Sequence, residues 1–202
     1  MIYFFRYDNI TLLYDRWLAE LPDSRRDVVL AHKHAASRIQ SLCAFRPLCH
    51  ALGFVPAAFS HGKHGKPSID RHSFNMSHTR GAVAVIVGNG TVGVDIECIR
   101  KHPERVCKRV FTDAENHFIR QSANPDAAFF KLWTLKESYI KALGSGFSFP
   151  PINVEFNFDS GIICSDSNFS FETHTVDAFQ ISACASHPKD LGIIEIFQEQ
   201  LG

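Results

Sequence analysis

Thr91–Glu97, TVGVDIE, is the stretch on which the fold turns. Val92, Val94 and Ile96 alternate with Gly93, Asp95 and Glu97. Side chains of a strand point to opposite faces in turn, so this alternation predicts one apolar face and one face carrying two carboxylates. Two like charges on one face repel unless solvent screens them. A cation between them relieves the repulsion, and for hard oxygen ligands Mg²⁺ is the natural ion. A solvated strand edge bearing two acids is the plainer alternative for the same residues.

A second run, Phe129–Gly144 (FFKLWTLKESYIKALG), has helical spacing. Asn124 before Pro125 suits a helix start and Gly144 suits its stop. At about 100° per residue, Glu137 falls roughly 40° from Trp133 and close to Phe130. That places it in an apolar arc with Phe129, Ile140 and Leu143. A carboxylate there needs a metal, a cation or a proton. Lys141, one turn on, is within reach as its partner or as an independent phosphate ligand, although an ordinary Glu-to-Lys pair on the helix surface explains the same spacing.

Gly93-Val94-Asp95-Ile96-Glu97, followed after about forty positions by Trp133-Thr134-Leu135-Lys136-Glu137-Ser138-Tyr139-Ile140-Lys141, resembles the paired signature of the 4′-phosphopantetheinyl transferases. It is most similar to their single-chain Sfp type, within the holo-[acyl-carrier-protein] synthase superfamily. Matching pieces surround it: Gly65-Lys66-Pro67, Phe74-Asn75-Met76-Ser77-His78, Phe111-Thr112-Asp113-Ala114-Glu115 and Gly144-Ser145-Gly146. The resemblance covers Gly62 to Gly146 well and the two ends loosely.

That resemblance implies an α+β fold of two similar α/β halves, about 1–98 and 99–202, related by a pseudo-two-fold axis, with coenzyme A in the cleft between them. It also implies Mg²⁺ held by Asp95, Glu97 and Glu137, with Asp95, Glu137 and Lys141 as the catalytic group and Glu137 as ligand, base or both. Basic residues near the N-terminus of such proteins hold the coenzyme phosphates, and Arg26 and Arg38 are the best matches here. Lys66, Ser77, His78 and Lys141 would complete the coenzyme contacts. The implied reaction moves 4′-phosphopantetheine from coenzyme A to a serine of an acyl or peptidyl carrier protein and releases 3′,5′-ADP.

Local chemistry agrees in part. Lys66 sits between a glycine and a proline, where backbone approaches a ligand closely and a lysine acts as a point charge for phosphate; a surface-turn lysine is the bland reading. Ser77-His78, followed by Thr79, Arg80 and Gly81, forms a donor cluster for an anion. Arg25, Arg26, Lys33 and Arg38 by themselves read as the solvated face of helices. Glu115 is fully explained as the second member of a capping box with Thr112, although the resemblance also allows it near the metal.

Taken in order, Ile2–Tyr7 predicts a strand and Leu12–Leu21 an amphipathic helix. Asp23 or Ser24 is expected to cap a further helical run that reaches Leu52 with a break. Gly53–Asp70 reads as loop, and Ser73–Ser77 as a short strand. Ala82–Val87 and Thr91–Cys98, joined by Gly88-Asn89-Gly90, predict a hairpin with Asp95 and Glu97 on a central strand. Glu104–Val110 is helical. Asn153–Phe158, Asn168–Thr175, Phe179–Ala185 and Gly192–Phe197 predict a strand-rich C-terminal segment.

Composition limits the alternatives. A chain of 202 residues can bury one sizeable core or two packed halves. Its 21 basic and 21 acidic residues cancel, which gives no field favouring nucleic acid or membrane. Six cysteines without CxxC or framework spacing suit a reducing cytosol. Eleven histidines match no zinc spacing. No stretch has the length of a membrane span or of a signal-peptide core, so a soluble, cytoplasmic protein is expected. A single chain with both halves of its cleft is expected to be a monomer. Two other classes use the same acids: a catalytically silent coenzyme A or nucleotide-binding module, and another Mg²⁺-dependent phosphotransferase or hydrolase. A silent module is disfavoured because all three acids and the lysine are present.

Overall fold

The computed structural model describes every residue except 8, 9, 63, 70, 71, 197 and 202, and the side chains of residues 11, 147, 198 and 199. The N-terminal part runs β1 (Ile2–Arg6), α1 (Thr11–Ala19), α2 (Asp23–Ala31), α3 (Ala35–Leu52), the short β2 (Ser60–His61) and β3 (Pro67–Ser68), then β4 (Ser73–Thr79) and β5 (Ala82–Gly88). The remainder runs β6 (Val92–Cys98), α4 (Glu104–Val110), α5 (Asp113–Gln121), α6 (Pro125–Leu143), β7 (Phe156–Asn157), β8 (Ile163–Cys164), β9 (Ser170–Val176), β10 (Phe179–Ala185) and β11 (Ile193–Ile196). The fold is mixed α/β, as expected.

Two principal sheets repeat one connection. In the first, β1 pairs antiparallel with β5, and β5 with β4. In the second, β6 pairs antiparallel with β10, and β10 with β9. Each is a strand, a run of helices, and a hairpin whose second strand lies in the middle. β11 then crosses back to lie parallel to β1.

Alternation within the strands builds the layers. Phe5, Val83 and Val85 pack with Trp17, Phe45 and Leu48 under the N-terminal helices. Phe4, Ala84 and Ile86, on the opposite face, pack against Val94, Ile96 and Ile181 of the second sheet. Cys184 of β10 lies with Phe129, Leu132 and Leu135 of α6 beyond it. The order is helices, sheet, sheet, helices. Each large apolar side chain buried in these layers contributes about 1.5–3 kcal/mol.

The expected hairpin between Ala82–Val87 and Thr91–Cys98 does not form. β5 pairs with β4 through the tight turn at Arg80-Gly81, where Gly81 has φ 87°. β6 leaves for the other sheet. The glycine-flanked Asn89 serves a contact with distant sequence: the buried carboxylate of Asp190 accepts from Asn89 N at 2.8 Å and Gly90 N at 3.3 Å. A Cβ on Gly88 would lie 2.5 Å from Asp190 Oδ2. Asp95 and Glu97 therefore lie on a strand at the edge of its sheet, not a central one.

Smaller expectations also shift. Pro22 occupies the start of α2 without a side-chain cap, and Ser24 Oγ instead donates to Ala57 O. β4 continues to Thr79, so Ser77 is inside it. Leu143 is exposed rather than part of an apolar arc, because α6 is buried on most sides upstream of its last turn. Asp70, at the end of the expected loop, and Phe197, at the end of the expected last strand, lie outside the described residues.

Candidate active site

Asn124 and Gly144 frame α6 as expected: Asn124 Oδ1 accepts from Ala127 N at 3.1 Å, and Gly144 ends the helix at φ 64°. The helix lies hard against β6 because Gly93 has no side chain. A Cβ there would sit 2.0 Å from Ser138 O and 2.5 Å from Ala142 N. This approach brings the two sequence signatures together. Lys141 Nζ lies 2.6 Å from Asp95 Oδ1. Ser77 Oγ of β4 donates to the same oxygen at 2.8 Å and accepts from Lys141 Nζ at 2.8 Å.

β4 supports β6 in a way sequence reading missed. As the sheet edge, β6 presents backbone N–H groups with no strand partner there. Val94 N donates to Asn75 Oδ1 at 3.0 Å, and Ile96 N to Ser77 Oγ at 3.4 Å. Asn75 and Ser77 are two apart on β4, so both face β6. The one available signal was their spacing within Phe74–His78.

The three acids share one electrostatic environment. Burial, then the Asp95 charge and to a lesser degree Glu97, push the Glu137 carboxyl above its ordinary pKa, while Lys141 pulls it down. Glu97 is paired with Arg100 at 3.0 Å. Asp95 Oδ2 is buried without a hydrogen-bond partner. A hard divalent cation fits this donor set: carboxylate oxygens, one of them orphaned, in a place where negative charges oppose one another. Among the described residues, no three His, Cys, Asp or Glu side chains are already gathered closely enough to hold one ion.

A cleft of about 1030 Å³ adjoins the cluster, lined by Lys66, Arg105, Arg109, Trp133, Glu137 and Lys141 among others. Arg105 and Arg109 are one turn apart on α4, and sequence reading passed over them because nothing marked that short helix as a cleft wall.

The other predicted contacts are dispersed. His78 is exposed at the surface; partial desolvation, then the Lys141 charge, lower its imidazole pKa, with His32 adding to this. Arg38 Nε donates to His32 O at 2.8 Å, and the residue does not line the cleft. Arg26 instead caps the end of α1, donating to Leu18 O, Ala19 O and Leu21 O and pairing with Asp23 at 2.9 Å; it does not line the cleft. Lys66 Nζ donates to Val92 O at 3.0 Å and Ala142 O at 2.9 Å.

Glu115 takes its capping role. Its carboxylate accepts from Thr112 N at 2.9 Å and Phe156 N at 2.9 Å, and it forms a fully buried pair with Lys136 at 2.7 Å. Lys136 Nζ also donates to Pro151 O and Val154 O. The first lysine of the helical signature is thus part of the core, and only the second faces the cleft.

Fold and cleft together define a class: a two-sheet α/β protein that sets three carboxylates beside lysine and arginine side chains, suited to a phosphate-bearing ligand. Residues 91–188 match the model of the 4′-phosphopantetheinyl transferase superfamily. A 4′-phosphopantetheinyl transferase of Bacillus subtilis is 31% identical over 194 residues, covering 86% of this chain and 86% of its own. The transferase gsp of Aneurinibacillus migulanus is 30% identical, covering 71% of this chain and 65% of its own. Among solved structures, a holo-(acyl-carrier-protein) synthase of Bacillus anthracis in complex with CoA (3′,5′-ADP) aligns with 46% of this chain and 92% of its own, at TM-score 0.42 and 18% identity. This chain belongs to the 4′-phosphopantetheinyl transferase superfamily, and it is an enzyme of that family.

Proposed function

We propose that this chain transfers 4′-phosphopantetheine from coenzyme A to a serine of an acyl or peptidyl carrier protein, with Mg²⁺ as cofactor and 3′,5′-ADP as the second product. The observation that carries the reading is the meeting of Asp95, Lys141 and Ser77 across three separate elements, with Lys141 also lining a cleft large enough for a nucleotide-sized ligand.

Asp95, Glu97 and Glu137 are the residues that would hold Mg²⁺. When bound, the ion supplies neutralisation and orientation of pyrophosphate oxygens. Lys141 places a second positive charge at the pyrophosphate, and its position is fixed by Asp95 and Ser77. His78 and Arg38 are the proposed donors to the phosphates, while Ser77, whose hydroxyl hydrogen goes to Asp95, holds Lys141 in place. Glu137, already driven toward higher pKa by burial and by Asp95, is suited to accept the proton of the attacking serine. The serine oxygen forms a bond to the β-phosphorus as the bridging P–O bond breaks. The proton goes to Glu137, and the electron pair leaves with 3′,5′-ADP.

Among the described residues, no helix is long and apolar enough to cross a membrane. We read the protein as a cytoplasmic monomer that engages neither nucleic acid nor membrane. The test is intact-mass measurement of an apo carrier protein incubated with this chain, coenzyme A and Mg²⁺, beside an EDTA control. A metal-dependent gain of one phosphopantetheine is expected. Several unrelated apo carriers all left unmodified, with coenzyme A still bound, would instead favour a silent binding module.

A further inference from the structure

Lys66 lines the cleft, but its ammonium is committed elsewhere. Nζ donates to Ala142 O at 2.9 Å and Val92 O at 3.0 Å. Ala142 O belongs to the last turn of α6, whose carbonyls lack partners within the helix. A cation there also meets the negative end of the helix dipole. Val92 is the first residue of β6 and directly precedes Gly93, where helix and strand approach most closely. Gly144, the helix stop, leaves room for the lysine stem: a Cβ there would lie 3.2 Å from Lys66 Cδ. The residue thus ties the end of the helix bearing Lys141 to the head of the strand bearing Asp95.

We infer that Lys66 is a positioning residue, fixing α6 against β6 and so holding Lys141 to Asp95, rather than a ligand of coenzyme phosphate. The kinetic consequence rests on the transferase reading above; the structural one does not. An ammonium sharing two carbonyls across a helix–strand contact resists sliding of one element along the other. Loss of that restraint acts on the reacting geometry, where a displacement near 1 Å lowers rate far more than binding.

The test uses Lys66→Met, which keeps the stem and removes the donors, and Lys66→Arg, which keeps a cation able to reach two carbonyls. In the ligand-free protein, amide exchange at Ala142 to Gly144 and at Gly93 to Asp95 is expected to quicken roughly tenfold in Lys66→Met and to return toward the parent rate in Lys66→Arg. In transfer assays kcat should fall about tenfold or more in Lys66→Met, while the coenzyme A dissociation constant from calorimetry changes less than about threefold. Unchanged exchange at both segments, or a roughly tenfold loss of coenzyme A affinity with kcat retained, overturns the inference and makes Lys66 a phosphate ligand. Should Lys66→Met fail to fold, Lys66→Gln, which is neutral and too short to reach both carbonyls, takes the same readouts. If the parent protein modifies no carrier, the transferase reading fails, and the exchange rates still decide the role of Lys66.

Discussion

Lys141 Nζ and Asp95 Oδ1 stand 2.6 Å apart although 46 positions separate them in sequence. The pair joins the helical signature to the strand signature, and Ser77 bonds to both partners. Asp95 is 5% exposed, so its carboxylate depends on this small set of neighbours for compensation.

Lys141→Ala removes the cation at that contact. Transfer should fall about 100-fold, in the range found when a preorganised donor to a charged reacting group is deleted. Steady-state kinetics with a carrier substrate measures it. Normal kinetics would reduce Lys141 to a helix-surface partner.

Asp95→Ala removes one proposed metal ligand and leaves Lys141 without its carboxylate. Most activity should disappear, and the Mg²⁺ concentration required for any remainder should rise. Titration of transfer rate against Mg²⁺ reads both effects; a rate equal to the parent's at low Mg²⁺ contradicts the assignment.

Glu115 and Lys136 form a buried pair, 0% and 1% exposed at the side chain. Lys136→Met leaves Glu115 charged inside the core, and the expected cost is about 3–5 kcal/mol. The double variant Glu115→Gln, Lys136→Met should recover part of that loss. Guanidinium unfolding of the two variants checks the prediction, and a loss below about 1 kcal/mol in the single variant would place the pair in contact with water.

Gly93→Ala inserts a methyl group where Ser138 O is 2.0 Å away. Both neighbours are backbone, so neither yields cheaply, and stability should fall by about 1–3 kcal/mol or more. Thermal unfolding measures it. An unaltered midpoint would mean that α6 and β6 are less closely packed than described.

Burial pushes the Cys43 thiol from its ordinary 9.0 up to about 12, and drives Cys184 upward as well. Both should resist iodoacetamide at pH 8 in the native protein and react once guanidinium unfolds it. The folded state binds the thiol proton more tightly than the unfolded one. This contribution to stability is therefore complete below 9.0 and is lost as pH climbs from there toward 12. Peptide mapping after native alkylation is the check, and ready labelling of Cys43 at pH 8 would contradict it.

Much of α6 was legible because its signals are local: a cap, a proline, a glycine stop and a carboxylate at helical spacing. The Thr112–Glu115 capping box was legible for the same reason. The partnership of β6 was not. Alternation marks a strand but not its neighbour, and the glycines beside Asn89 resembled a hairpin turn when their partner was Asp190, about one hundred positions away. Asn75 was missed because a side chain that satisfies a neighbouring strand's backbone leaves no pattern in its own segment. Lys66 and Arg26 carry charges that local sequence cannot distinguish between ligand and carbonyl. Only the tertiary arrangement shows the carbonyls that they meet.

Group transfer from coenzyme A to a carrier yields two products, so both are best counted in one reaction. Coenzyme A, an apo carrier protein, Mg²⁺ and this chain would be incubated together, with 3′,5′-ADP measured by chromatography and holo-carrier by intact mass. Equal molar amounts of the two are expected at every time point. Release of 3′,5′-ADP without carrier modification, or holo-carrier formed without it, would contradict the transfer.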